Sequence, residues 1–263
     1  MRIGLYYYSG AGNTKFIAKA LSKKLKALEH EVLMLRITDK HAQTFEQNVD
    51  LFMIGFPVYD LSSPSSVQTL VNNLHVSTKP IAFFCTKAFA SADAIRELSL
   101  ISGSKGMITV GNKEFYMPGT DLLGMFAKKG SNTEKIAKFF HSRHIGKKLD
   151  IFIEKIEKQK PQKVSQKWYV YLAPWIPQKW KQSFHDQYSR FVPQFFSQPD
   201  ICIECMKCVK ECPRDNIRFD EVIKFDLNCD MCLHCLHHCP VDSIQVGDFT
   251  KGTVRYTKVE IAL

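Results

Sequence analysis

Eight of the nine cysteines in this 263-residue sequence lie between positions 202 and 239. They form two runs of identical spacing, and each run ends in a proline: Cys202-x-x-Cys205-x-x-Cys208-x-x-x-Cys212-Pro213 and Cys229-x-x-Cys232-x-x-Cys235-x-x-x-Cys239-Pro240. Cysteines two or three residues apart are typical ligands of metal ions and of iron–sulfur clusters. The first residues indicate a strand rather than a signal peptide, so we expect a cytoplasmic protein whose cysteines bind metal rather than form disulfides.

Both runs resemble the cysteine pattern of bacterial ferredoxins that bind two [4Fe–4S] clusters, in which the fourth cysteine of each run ligates the other cluster. The resemblance implies two crossed ligand sets: Cys202, Cys205, Cys208 and Cys239, and Cys229, Cys232, Cys235 and Cys212. Zinc is the alternative, because paired C-x-x-C motifs also bind zinc, but two complete runs with both prolines favour clusters. No cysteine is missing, so three histidines of the second run are interpreted as packing or surface residues: His234, His237 and His238.

A second candidate site is a glycine-containing loop between the first predicted strand and the first predicted helix, Tyr8-Ser9-Gly10-Ala11-Gly12-Asn13-Thr14. Backbone amides and a helix N-terminus at such a position bind anions. The glycines allow close approach of a ligand, and Ser9, Asn13 and Thr14 offer side-chain donors. The loop matches neither G-x-G-x-x-G, since position 15 is lysine, nor a Walker A motif.

The first 158 residues alternate between strand and helix patterns. Short apolar segments predict strands at 2–8, 32–37, 49–56, 80–85 and 106–112, and helical spacing predicts helices at 13–28, 65–74 and 91–101. Ser131 and Glu134 resemble a capping box before one long helix, whose apolar face comprises Ile136, Phe139, Phe140, Leu149, Phe152 and Ile156. This pattern predicts an α/β fold with a five-stranded parallel sheet covered on both faces and a ligand site at the carboxyl ends of the strands.

With its flanking elements, the glycine loop resembles the phosphate loop of flavodoxins, which bind flavin mononucleotide (FMN). The resemblance covers residues 1–158 and implies a doubly wound, flavodoxin-like sheet. It implies that the phosphate is held by Ser9, Gly10, Ala11, Gly12, Asn13 and Thr14. It also implies two loops at the flavin ring: Pro57, Val58 and Tyr59, with Tyr59 a candidate for stacking, and Thr86, Lys87 and Ala88. Cys85 is interpreted as a buried core thiol.

Charge is unevenly distributed along the chain. Residues 200–247 contain nine acidic and five basic residues, whereas residues 1–159 contain 22 basic and 14 acidic residues, unlike the acidic flavodoxins. No acidic group is apparent around the proposed ring site. The basic excess suits nucleic acid, an anionic membrane surface or an acidic protein, or is merely solvated lysine. Since no nucleic-acid-binding motif is visible and no apolar stretch approaches roughly 18–20 residues, we expect neither specific nucleic-acid binding nor a transmembrane span; peripheral membrane contact stays open.

Four regions are predicted: a flavodoxin-like FMN-binding domain at 1–158, an aromatic, basic connector at 159–199, a small α+β two-cluster ferredoxin domain at 200–247 and a C-terminal tail at 248–263. The combination resembles the flavodoxin–ferredoxin fusion proteins of anaerobic bacteria and archaea. Three tryptophans of the connector, Trp168, Trp175 and Trp180, are interpreted as packing between the domains. The alternative is that the connector docks a partner or lies on a membrane surface.

These resemblances imply an electron-transfer protein in which FMN exchanges two electrons and the [4Fe–4S] clusters exchange one each with unidentified redox partner proteins. The alternative is a flavin-dependent oxidoreductase that reduces a small acceptor, such as a quinone, with electrons delivered through the clusters. The sequence leaves the choice between carrier and enzyme open, and it predicts no catalytic side chain.

Overall fold

A computed structural model describes residues 1–39, 48–139, 144–168 and 188–256, together with positions 170, 179, 182 and 186. Trp175, Trp180 and Phe140 lie outside the described residues, and so do 15 of the 41 residues of the predicted connector. Within these ranges no helix is both long enough and apolar enough to cross a lipid bilayer.

The N-terminal part contains a five-stranded sheet whose neighbouring strands are all parallel. Its strands are β1 (Arg2–Tyr7), β2 (Glu31–Arg36), β3 (Leu51–Pro57), β4 (Pro80–Lys87) and β5 (Ile108–Tyr116), in the spatial order β2-β1-β3-β4-β5. This order defines the flavodoxin-like doubly wound fold, in which ligands bind where the order reverses, between β1 and β3. The predicted fold class and all five predicted strands are confirmed.

Helices cover both faces of the sheet. They are α1 (Asn13–Ala27), α2 (Ser65–Asn73), α3 (Ala94–Ser104), α4 (Asn132–Phe139) and α5 (Ile145–Glu157). Buried residues of α1 and α5 pack on one face, and buried residues of α2 and α3 pack on the other. Helix α3 begins three residues later than predicted, because Ala92 has a φ of 42°, outside the right-handed helical region.

The single long helix predicted after Ser131 is wrong, because the structure contains the separate helices α4 and α5. His144 has a φ of 58°, and this left-handed conformation ends any continuous right-handed helix. Ser131 does act as a cap, since its Oγ accepts the Glu134 N–H at 3.2 Å. The predicted apolar face is also divided: Leu149, Phe152 and Ile156 are fully buried, whereas Ile136 and Phe139 are 52% and 71% exposed.

The cysteine-rich part forms a small α+β module that repeats its backbone every 27 residues. The short helices α6 (Lys207–Lys210) and α7 (His234–His238) occupy matching positions. Strand β6 (Phe195–Ser197) pairs antiparallel with β9 (Ile244–Val246), and β7 (Ile217–Asp220) pairs with β8 (Val222–Phe225). Left-handed residues also recur in pairs: Glu204 and Met231, Met206 and Leu233, Asp215 and Asp242. Strand β6 lies in the predicted connector, so the pairing crosses the predicted boundary at 199/200.

Candidate functional site

The glycine loop lies where β1 ends and α1 begins. Gly12 is the N-cap of α1 with a φ of 114°, a conformation that favours glycine. The hydroxyl of Ser9 accepts the Lys15 N–H at 3.2 Å, and the first turn of α1 has no acidic residue. The start of a 15-residue helix with no carboxylate beside it is suited to an anion.

Two side chains predicted as phosphate donors have partners within the protein. The Asn13 amide donates to the Pro118 carbonyl at 3.0 Å and accepts the Tyr256 hydroxyl at 2.8 Å. The hydroxyls of Thr14 and Thr86 lie 2.9 Å apart. These bonds tie the loop to the end of β4 and to the C-terminal tail. The backbone amides at the start of α1 are therefore the main donors for a phosphate.

A cavity of about 410 Å³ opens beside this loop at the carboxyl ends of the strands. Eleven of the twelve residues predicted to contact FMN line it, and the exception is Gly12. The volume lies within the range of cavities that bind small molecules, about 300–1,000 Å³. The structure thus brings the three predicted loops around one space large enough for a nucleotide-sized ligand.

The cavity also has walls that sequence reasoning missed. They comprise Asp60 and Leu61, Phe89 and Ala90, residues 118–122, Tyr188 and residues 230–233. Three of these residues are acidic, Asp60, Asp121 and Asp230, so the expectation that no acidic group surrounds the site is wrong. Each comes from a different segment, and no motif links them. Tyr188 is held in place because its hydroxyl donates to Asp121 at 2.9 Å.

Tyr59 is positioned by a tight turn of unusual backbone. Asp60 and Leu61 have φ values of 49° and 60°, while backbone hydrogen bonds join Tyr59 and Ser62 in both directions at 3.0 and 2.8 Å. A leucine in this conformation stores strain on the order of 1–3 kcal/mol. The ring of Tyr59 lies edge-on to that of Tyr8, with centroids 6.2 Å apart. Tyr59 is thus fixed at the cavity wall between β1 and β3.

Lys87 lines the cavity, but its ammonium group forms an ion pair with a glutamate of the neighbouring strand. Its ammonium lies 2.6 Å from Glu114 on β5, which also binds the ammonium of Lys167 at 2.8 Å. Burial raises the pKa of Glu114, but hydrogen bonds from Lys167 and Lys87 outweigh burial and hold the pKa below its usual value. Lys167 belongs to the predicted connector, which this pair anchors to the sheet. Cys85 is fully buried in β4, as predicted.

The two ligand sets that the ferredoxin resemblance implies stay a prediction, and the structure shows the surroundings of the cysteines in each set. We name Cys202, Cys205, Cys208 and Cys239 the outer site, and Cys229, Cys232, Cys235 and Cys212 the inner site. Burial is the main reason that the pKa of Cys208 is raised to about 11, and the other three outer cysteines contribute to the increase. Burial and the three other inner cysteines likewise raise the pKa of Cys235, and Cys208 of the outer site also contributes. A small cavity is lined by all four inner cysteines.

Backbone amides point at the sulfur atoms of both sites. The Asn216 N–H donates to Cys212 Sγ at 3.4 Å, and the Ser243 N–H, 27 residues later, donates to Cys239 Sγ at 3.2 Å. Such donors favour thiolates, and crowded, buried thiolates require a cationic partner. In the described part of the chain, no three or more His, Cys, Asp or Glu side chains are grouped around a position for a single metal ion. Two sets of four thiolates fit the donor chemistry of [4Fe–4S] clusters.

The two sites differ in exposure. Cys205 of the outer site is exposed, whereas its counterpart Cys232 is buried against the glycine loop. A Cβ atom on Gly10 would lie 2.2 Å from the Cys232 carbonyl oxygen and 2.5 Å from the Tyr59 hydroxyl. Only glycine permits this approach. Residues 230–233, which belong to the inner-site loop, therefore form one wall of the large cavity.

Histidines of the second run hold this loop in position through hydrogen bonds. His234 Nδ1 lies 2.8 Å from the Gly10 carbonyl oxygen. His237 Nε2 donates to the Thr120 carbonyl at 3.0 Å, and its Nδ1 accepts the Tyr256 N–H at 3.1 Å. Burial lowers the pKa of His234 to about 4 and that of His237 to about 3, although both ring nitrogens of His234 face acceptors, since its Nε2 lies 2.9 Å from Glu211 Oε2. These two residues pack as predicted, while His238 is half-buried.

No family model matches the chain, and no curated protein matches it. Solved structures with similarity include a flavodoxin from Streptococcus pneumoniae TIGR4, with 13% identity over 61% of this chain and 100% of that one and a TM-score of 0.44. An oxidised flavodoxin from Bacillus cereus has 17% identity, 60% and 99% coverage and a TM-score of 0.41. A Fusobacterium nucleatum flavodoxin variant bound to FMN has 16% identity, 60% and 96% coverage and a TM-score of 0.43. The fold assignment rests on the strand order, not on these similarities.

Proposed function

We propose that this chain is an electron-transfer protein that couples one FMN in the large cavity to two [4Fe–4S] clusters at the inner and outer sites. The observation that carries the proposal is the shared wall: residues 230–233 line the cavity, and Cys232 of the inner site touches the glycine loop at Gly10. A flavin in this cavity and a cluster on these cysteines would be adjacent.

The residues around the cavity suit FMN. The amides at the start of α1 and the Ser9 hydroxyl would hold the phosphate, since no acidic residue lies in the first turn of the helix. Tyr59 and the end of β4 would flank the ring. The role of these residues is to bind and orient the flavin and to exclude water from it.

When bound, FMN exchanges two electrons and each cluster exchanges one, so the assembly converts between two-electron and one-electron transfer. The protein contributes by holding the cofactors in position. Buried apolar side chains, among them Ile217 and Ile244 at matching places in the repeat, keep water from the cysteines. No side chain has to donate or accept a proton for electrons to pass between adjacent centres.

The difference in exposure favours one order of transfer. Cys232 of the inner site lines the large cavity, whereas Cys205 of the outer site is exposed. We therefore place the inner cluster next to FMN and the outer cluster at the surface where a one-electron redox partner protein would dock.

The proposal is tested by anaerobic purification with iron, sulfide and flavin analysis, followed by stepwise reduction monitored by absorbance and electron paramagnetic resonance. We expect about eight irons, about eight sulfides and one FMN per chain. Zinc in place of iron, or disulfides between these cysteines in the anaerobic protein, would contradict the proposal. Iron without flavin would leave a protein that binds clusters and would remove the coupling to FMN from the proposal.

A further inference from the structure

Asp230 is a carboxylate at the junction of the two proposed centres, and this inference rests on the proposed function. It lies in the chain between the inner ligands Cys229 and Cys232, and it lines both the large cavity and the small inner-site cavity. The matching residue of the first run is Ile203, which is 59% exposed. The acidic side chain is therefore a feature of the inner loop alone and not of the repeat.

Burial raises the pKa of Asp230, while the charge of Arg214 and hydrogen bonds from Ser65 and Tyr8 favour its ionised carboxylate. Its Oδ2 accepts the Tyr8 hydroxyl at 3.2 Å, and its Oδ1 accepts the Ser65 hydroxyl at 2.9 Å. The Arg214 Nε lies 3.4 Å from Oδ1 and forms an ion pair with it without the geometry of a hydrogen bond. Both oxygens therefore act as acceptors. The side chain is 15% exposed, so water screens its charge weakly.

Arg214 joins this carboxylate to the N-terminal domain. Its Nη1 lies 2.8 Å from Asp39, which follows β2, and it comes two residues after the inner ligand Cys212. Ser66 also donates to Asp39 at 2.7 Å. Two carboxylates and one guanidinium leave the junction with a net negative charge.

We propose that the fixed negative charge of Asp230 lowers the reduction potentials of the bound flavin and of the inner cluster relative to that of the outer cluster. Reduction adds negative charge to each centre, and a nearby carboxylate in a weakly screened site opposes it. In the transfer step one electron leaves the inner cluster, which is oxidised, and enters the outer cluster, which is reduced. By lowering the potential of the inner cluster relative to that of the outer cluster, Asp230 would make this step more favourable and so direct electrons toward the exposed site.

The test is Asp230→Asn in the full, cofactor-loaded chain, with potentiometric titration followed by absorbance for the flavin and by electron paramagnetic resonance for the clusters. Asparagine keeps the shape of the side chain and one acceptor oxygen, and the hydroxyl that faces its NH2 group can rotate and accept a hydrogen bond instead. We expect the flavin and one cluster to become easier to reduce by at least tenfold in equilibrium constant, about 59 mV for a one-electron couple. The other cluster stays unchanged. The matched control is Glu204→Gln on the exposed outer loop, which shifts neither the flavin nor the inner cluster.

Arg214→Gln supplies a second variant with the opposite sign, because it removes a positive charge from the same junction. We expect the same two centres to become harder to reduce. Equal potentials in wild type and both variants, or equal shifts of all three centres, overturn the inference while iron and FMN contents stay normal. If Asp230→Asn loses a cluster, the direction in which Arg214→Gln shifts the reduction potentials decides whether the inference holds. Absence of iron or FMN from the wild-type protein would instead contradict the proposed function.

Discussion

The two copies of the cysteine run share their spacing and their left-handed backbone positions but not their surroundings. The first copy faces solvent with Cys205 exposed, whereas the second is buried against the glycine loop and the cavity. Cysteine spacing therefore defines what each copy can bind, and the packing of the residues between the cysteines defines what each copy lies next to.

The intervening residues explain which copy is buried. Lys207 and Lys210 in α6 are exposed, while the matching His234 and His237 in α7 are buried and hydrogen-bonded to backbone carbonyls. Burying a lysine ammonium at these positions would carry a large desolvation cost, whereas an imidazole can lose its charge and still form hydrogen bonds through its ring nitrogens. The buried inner copy therefore has histidines at the positions where the exposed outer copy has lysines.

The largest effect is expected from removing one cysteine of each copy. Cys232→Ser and Cys205→Ser should each lose about four irons, if each serine prevents assembly of one cluster. The inner variant should also lose electron transfer from the flavin to the remaining cluster, and the outer variant should keep it. Iron analysis and reduction followed by electron paramagnetic resonance measure both. Electron transfer from the flavin to the remaining cluster in both variants would contradict the proposed difference between the two copies.

A second pair compares packing at matching positions. Leu236 is fully buried, and its counterpart Val209 is half-buried. Leu236→Ala should destabilise the module by about 2–5 kcal/mol, because it leaves a cavity. Val209→Ala should cost less, about 1 kcal/mol. The shift in denaturant midpoint, read anaerobically from the loss of cluster absorbance, gives the order. Equal shifts would show that the two copies are equally buried.

A third pair tests the contact between the inner copy and the glycine loop. Gly10→Ala places a Cβ atom on the Cys232 carbonyl, so we expect destabilisation of about 1–3 kcal/mol and weaker FMN binding. Gly103→Ala is the control, because nothing lies within 4 Å of its added Cβ in α3, and alanine there should stabilise by about 0.5–1 kcal/mol. Thermal unfolding and FMN titration measure both. Tight FMN binding in Gly10→Ala would contradict the shared wall.

The smallest expected effect is kinetic. An iron chelator added to the oxidised protein should remove the outer cluster several-fold faster than the inner one, since Cys205 is exposed and Cys232 is not. Two absorbance phases of equal amplitude are the expected result, and Cys205→Ser should lack the fast phase. A single phase in the wild-type protein would indicate equal access to the two sites.

Much of this architecture follows from local patterns. The five strands and the glycine loop are visible as apolar segments and turn-forming residues, whereas the crossed cysteine sets come from the ferredoxin resemblance and stay a prediction. The break at His144 was missed because the apolar residues before and after the polar residues 141–144 were assigned to one helix, and the φ of 58° at His144 reveals it. The acidic wall was also not predictable, because Asp60, Asp121 and Asp230 come together only through long-range packing.

The burial of the inner copy has the same origin. The contact of Gly10 with Cys232 joins residues 222 positions apart, and no spacing rule predicts such a contact. Histidines at positions 234 and 237 indicate burial in the sequence. This indication becomes apparent only when the two positions are compared with the matching lysines of the first copy.

The central claim is that a flavin and the inner cluster exchange electrons within one chain. The most direct measurement is photoreduction of the flavin in the loaded protein, followed by time-resolved absorbance of the clusters over a tenfold range of protein concentration. Adjacent centres predict a rate of cluster reduction that does not depend on concentration. A rate proportional to concentration, or clusters that stay oxidised beside a reduced flavin, would contradict the claim.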